Sequence, residues 1–111
     1  MNFDRPIRFE RPIRSVDAQG AQQTVWTDYR SAFARREQLN ATETYRARRL
    51  EDDSTHTFET YWSDTISEEH RILDERSNRI YMITEIAESD DDTTCVIRVR
   101  RDRDAERVRD A

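Results

Sequence analysis

The sequence predicts a mainly β domain: a small antiparallel β-barrel or sandwich of about six strands, with one short helix or long loop inserted between the second and third main strands. Three observations carry this expectation. Apolar and polar residues alternate at period two along short stretches. Those stretches are rich in β-branched and aromatic residues. Polar turn clusters divide them at short intervals. At 111 residues the chain has the length of one domain.

The densest signal lies in residues 70–101. Residues 70–73, 79–87 and 93–101 read as three successive strands, joined by the polar turns that run from Asp74 to Asn78 and from Ser89 to Asp92. The middle strand holds the apolar run Ile80-Tyr81-Met82-Ile83. In the last, Cys95, Ile97 and Val99 share one face and Thr94, Val96, Arg98 and Arg100 the other, because successive strand side chains point to opposite sides. Ile80, Ile83, Ile97 and Val99 are the expected core.

From the start of the chain, residues 5–14 alternate, with Ile7, Phe9 and Ile13 on one face and Arg8, Glu10 and Arg14 on the other. Pro6 and Pro12 fall on the polar side. Proline donates no ladder hydrogen bond, so this strand is expected at an edge or with one side open. Val16-Asp17-Ala18-Gln19-Gly20 then turns the chain with its single glycine, the residue that reaches positive φ at no steric cost. A second strand from Gln23 to about Arg36 carries Val25, Trp26, Tyr29, Phe33 and Ala34, and its length predicts a bend or bulge near residues 29–31.

Residues 39–50 read as the helix. Asn40 and Glu43 have capping-box spacing behind Leu39, with Thr42 as the competing cap. Tyr45, Ala47 and Leu50 form no wide apolar stripe, so the helix is a loosely docked surface piece or a segment ordered by a partner. Residues 51–54 end it. Residues 55–62 form the next strand, with Phe58, Thr60 and Trp62 opposite Thr57, Glu59 and Tyr61. Residues 1–101 are expected as a single domain. Residues 102–111 are expected as a charged tail, frayed or helical when something binds it.

The hydrophobic fraction of 34% and charged fraction of 39% compare with usual values of about 45–50% and about 25%. The core must be thin, and burial against a partner would reinforce it. All 19 basic residues are Arg, whose planar fork suits carboxylate and phosphate. A net charge of −5 removes the footprint of a general nucleic-acid binder. The lone Cys95 supports neither a disulfide framework nor a metal site. The early charges leave no signal-peptide pattern, and no stretch is long and apolar enough to span a membrane, so a soluble protein that stays in the cytoplasm is expected.

His56 and His70 have no Cys or second His at ligand spacing, and Asp90-Asp91-Asp92 lacks the spaced oxygens of a calcium loop. Neither Ser nor Cys pairs with His in a nucleophilic arrangement, and one glycine builds no phosphate loop. No enzyme activity, cofactor or metal is expected. What remains is Arg46, Arg48 and Arg49, set among Glu43, Glu51, Asp52 and Asp53. The cluster fits salt bridges to a neighbouring copy, Arg groups facing DNA phosphate, or a solvated helix with its own i, i+4 pairs.

In order, the chain offers an opening Arg8-Phe9-Glu10-Arg11-Pro12, then Asp17-Ala18-Gln19-Gly20, Val25-Trp26 and Phe33-Ala34-Arg35. Glu43, Ala47 and Leu50 follow, then Thr55-His56-Thr57-Phe58, His70-Arg71-Ile72 and Arg79-Ile80-Tyr81-Met82-Ile83. Over roughly residues 3–101 this set resembles the phage head-closure family of head–tail connectors, or stoppers, including gene-transfer-agent counterparts. Members often carry glycine where this chain has residues 38–40 and Ser77-Asn78. The resemblance implies a virion component of the neck, assembled in the host cytoplasm as a homo-oligomeric ring, with six-fold symmetry suiting a tail. It implies portal or adaptor proteins on the head side, a tail terminator or tail tube on the other, packaged DNA in the channel and no membrane. Residues 39–54 would face the channel or a neighbouring subunit, with Glu43, Arg46, Arg48, Arg49, Asp52 and Asp53 as the interface residues. The alternative reading is a small barrel that binds a peptide or nucleic acid.

Overall fold

In the computed structural model, residues 3–38, 55–89 and 93–110 are described. Their strands are β1 (Arg5–Val16), β2 (Gln22–Gln38), β3 (His56–Tyr61), β4 (Arg71–Asp74), β5 (Arg79–Glu88) and β6 (Thr94–Arg101). They close into one antiparallel barrel in the order β1-β2-β3-β6-β5-β4, with β4 pairing back onto β1. The choice left between barrel and sandwich falls to the barrel. Closure gives the strand edges of a small, thin-cored domain a partner, which an open sheet would leave exposed.

Period two fixes what fills the barrel. Ile7 and Phe9 from β1, Phe58 from β3, Ile72 from β4, Tyr81 and Ile83 from β5, and Cys95, Ile97 and Val99 from β6 are buried in one cluster. The four expected core residues are all buried, although Ile80 lies outside that central cluster. Thr60 is also fully buried, and its hydroxyl donates to Phe33 O at 2.8 Å, so the polar group is satisfied. At the turn after β4, Asn78 adopts φ 58°. Asparagine tolerates this left-handed region better than most residues.

β1 and β2 outrun the barrel. β4 covers β1 only from Ile7 to Glu10, and β3 covers β2 only from Arg35 to Gln38. Beyond those limits the two strands continue as a paired ribbon, here called the arm. Pro12 therefore sits where one edge of β1 is open, as expected. Ile13, expected inside with Ile7 and Phe9, is 43% exposed, because at its position there is no barrel to face. The predicted bulge is present: Phe9 pairs with Arg30 and Glu10 with Asp28, leaving Tyr29 over. The extra residue increases local twist where the ribbon leaves the barrel. At the tip, Gly20 takes φ 86° and its N–H donates to Asp17 O at 3.0 Å. The Asp17 carboxylate accepts from the amides of Gln19 and Ala21 at 2.9 and 2.8 Å.

The helix expected at residues 39–50 lies outside the described residues. The helix that is described is α1 (Arg103–Asp110), in the segment expected as a charged tail, frayed or helical when something binds it. Asp102 caps it, accepting from Ala105 N at 3.0 Å. Glu106 holds it to the barrel: its carboxylate accepts from the Ile80 amide at 3.2 Å and from the Arg101 guanidinium at 2.8–3.3 Å. Charge pairing fixes this helix, so no apolar stripe had to announce it.

Candidate assembly interface

Glu43, Arg46, Arg48, Arg49, Asp52 and Asp53 lie outside the described residues, as do the acidic residues Asp90 to Asp92. What can be read is where their segment is rooted. It leaves from Gln38 and returns at Thr55 and His56, and Gln38 is the register partner of His56. Thr55 N donates to Val99 O at 2.8 Å, which fixes the return. Both ends are therefore held on adjacent strands at one mouth of the barrel.

That mouth is rich in arginine. The fully buried Asp74 receives Arg5 at 3.0 Å and Arg36 at 3.1 Å, and the turn amides of Arg76 and Ser77 at 3.1 and 3.4 Å. Arg36 also donates to the Tyr81 hydroxyl at 3.2 Å. The His56 ring meets Tyr81 edge-on at 5.3 Å. Burial first, then the cations of Arg36, Arg79 and Arg101, hold the His56 pKa below its ordinary value. The neutral imidazole is the form this positive surrounding favours.

On the outer wall a second polar group anchors the arm. Glu10 and Arg71 are register partners and make a 2.7 Å ion pair with both side chains almost buried. The Trp26 ring from the arm lies over the Arg71 guanidinium at 4.3 Å. Trp26, Arg71, Met82 and Arg100 continue into a groove of about 780 Å³ whose far side is α1, with Asp104 and Val108 on its rim. Glu10, Arg71 and Trp26 lie far apart in the chain. Only strand register brings them together, so no local pattern signals this group.

The outer surface also carries large apolar side chains. Phe33 and Tyr61 are 59% and 60% exposed where β2 meets β3, and Phe3 packs edge-on against Tyr61 at 5.1 Å. On the arm, Ile13 and Val25 are register partners, exposed on one face. Neither patch was singled out from the sequence, because alternation separates the two faces of a strand without saying which one is left outside.

The remaining candidates are structural. The Tyr29 hydroxyl meets His70 Nδ1 at 2.6 Å. Burial lowers the His70 pKa, offset in part by Glu69, and burial raises that of Tyr29, so a neutral pair holds the bulge to the segment before β4. Burial pushes the Cys95 thiol up to about 11, the opposite of what a nucleophile needs. Among the described residues, no three His, Cys, Asp or Glu side chains gather as a metal site, and no helix is long and apolar enough to cross a membrane.

A family model described as phage head completion protein matches residues 1–102, which takes in the whole barrel and stops short of α1. No curated protein matches the chain. Among solved structures it is similar to protein SF1141 from Shigella flexneri 2a, at TM-score 0.73 and 18% identity over 91% of this chain and 96% of that one. It is also similar to a chain from the virion of a native gene transfer agent particle, at TM-score 0.58 and 15% identity over 90% and 94%. At such identities the likeness is one of fold.

Proposed function

This chain belongs to the phage head completion protein family, and from that premise we propose that it is the head-closure, or stopper, subunit of a phage or gene-transfer-agent neck. Copies join in a ring, six-fold where it meets a tail, between portal or adaptor proteins and a tail terminator or tail tube. The ring retains packaged DNA and offers the tail its docking surface; it assembles in the host cytoplasm and catalyses nothing. The observation that carries this reading is the family match over the entire barrel. The exposed apolar side chains of arm and wall support it, since a free monomer gains nothing from displaying them.

In this reading residues 39–54 face the channel or a neighbouring subunit. Rooted at the arginine-rich mouth, they add Arg46, Arg48 and Arg49 to its positive charge, with Glu43, Asp52 and Asp53 available to pair across copies. A few arginines contact phosphate while the net charge of −5 keeps the passage from gripping the duplex.

Cryo-electron microscopy of particles stopped before tail attachment tests the placement. Density for a ring of these barrels at the neck is expected, and its absence there overturns the reading. Reversing Arg46, Arg48 and Arg49 to Glu is expected to leave the monomer folded by circular dichroism while DNA leaks from the particles or the ring fails to form. A monomer that no longer folds would make the segment part of the core.

A further inference from the structure

Where the arm leaves the barrel, β4 and β3 stop short of it, and both edges of the ribbon are left without a strand beside them among the described residues. Register tells which backbone groups lie on those edges. Pro6 O accepts from Glu75 N at 3.1 Å, on the β4 side. The even-numbered residues of β1 therefore turn their backbone N–H and C=O away from β2, because these groups alternate in direction along a strand. Pro12, Arg14 and Val16 share that parity, and their register partners Trp26, Thr24 and Gln22 turn theirs away from β1. Each edge is a row of backbone groups at strand spacing, open to pairing.

The two edges differ. On β1, Pro12 has no N–H to offer, so the row is broken next to the barrel. On β2 the row through Gln22, Thr24 and Trp26 is unbroken, and it has a shaped surface beside it. The groove of about 780 Å³ between arm and α1 is lined on the arm side by Thr24, Val25 and Trp26. Consecutive strand side chains point to opposite faces, so three in a row line one groove only where the strand lies edge-on to it. α1 closes the far side with Ala105 and Val108, the latter 77% exposed. The family match ends at residue 102, so this wall comes from beyond the matched domain.

We propose that this groove takes an extended segment of a partner protein, which adds to the arm as a third strand along residues 22–26. The edge selects the class of occupant, since an extended backbone carries donors and acceptors at the spacing that Gln22, Thr24 and Trp26 present. The size of the groove selects a single segment. A residue in a sheet fills about 160 Å³, from ~3.4 Å along the strand, ~4.8 Å between strands and ~10 Å between layers, so the groove holds about five residues of one strand. A second copy would bring a two-stranded ribbon, and among the described residues all of its strands are paired within its own barrel. Apolar side chains at alternate positions of the segment would lie against Trp26, Met82 and Val108. The added strand does not depend on a place in the neck; there, its source is a neighbouring virion protein.

Panning a random seven-residue peptide library on the purified full chain tests it. Recovered peptides are expected to alternate apolar and polar residues and to bind the chain in fluorescence polarisation. Thr24→Pro removes one N–H from the open edge and none from the ladder to β1, just as Pro12 does across the ribbon, and is expected to weaken binding roughly tenfold. Arg14→Pro, at the register partner on the other edge, is expected to leave binding unchanged. A library that yields no binder, an equal loss from both prolines, or no loss from Thr24→Pro overturns the proposal.

Should either proline unfold the chain by circular dichroism, the far wall decides. Val108→Glu, at an exposed position, is expected to keep the fold and to weaken the same peptides roughly fivefold, and unchanged binding overturns the proposal. In assembled particles, a photocrosslinking residue in place of Val108 is expected to join one segment of a different protein. A crosslink to a second copy or to residues 39–54, or none in particles that contain the chain, overturns the choice of occupant.

Discussion

Glu10 and Arg71 illustrate how few residues hold the arm to the barrel. Their ion pair is almost entirely shielded from water, so removing Glu10 takes the carboxylate away from a nearly buried Arg71 guanidinium. Glu10→Ala is expected to cost about 3–5 kcal/mol in urea unfolding, whereas Glu10→Leu combined with Arg71→Met should recover most of that loss. A double variant as unstable as the single would mean the pair contributes more than its own satisfaction. The histidines make a second prediction at this scale. His56 and His70 have folded pKa values below the ordinary one, so the unfolded chain binds protons first. Their contribution is therefore complete above about pH 6.5 and is lost as pH falls below it. The melting temperature should drop between pH 7.5 and 5.5, and replacing both histidines with Gln should flatten that slope.

At the scale of elements, α1 depends on Glu106. The Arg101 guanidinium, and to a lesser degree the Ile80 amide, hold the Glu106 carboxyl below the usual glutamate range. Its stabilising effect is thus present at neutral pH and is lost as pH falls through the carboxylate range, below about 4. Glu106→Gln should release the helix at neutral pH at a cost of about 0.5–1.5 kcal/mol, seen as faster hydrogen exchange at Ile80. Unchanged exchange would show that other contacts dock it. Asp102 was a readable cap, but nothing in the alternating charges of this segment disclosed a surface to dock on. The strands were legible nearly to the residue because period two and turn chemistry are local properties. Even the bulge at Tyr29 could be anticipated, since a strand of seventeen residues cannot stay regular while leaving a small barrel.

For the whole molecule, register was the hidden variable. Closure of β4 onto β1, the pairing of Glu10 with Arg71, and the seat of Trp26 on Arg71 all depend on which residue faces which across distant strands. Alternation alone allows several such pairings. The site expected from resemblance was placed on residues 39–54; the wall and the arm went unread because no local pattern names an outer face. The resulting architecture predicts uneven stability. Amides of residues 13–16, on a ribbon that β4 no longer covers, should exchange hydrogen well before those of Ile97 and Val99 in the barrel. Equal protection would mean that arm and barrel open as one unit.

Gln38 and His56 hold the two ends of the intervening chain side by side, and the entropy of closing a loop rises slowly with its length. Such a junction works as an exchangeable socket. A peptide tag grafted there should leave the barrel intact, seen as an unchanged circular dichroism spectrum and melting temperature.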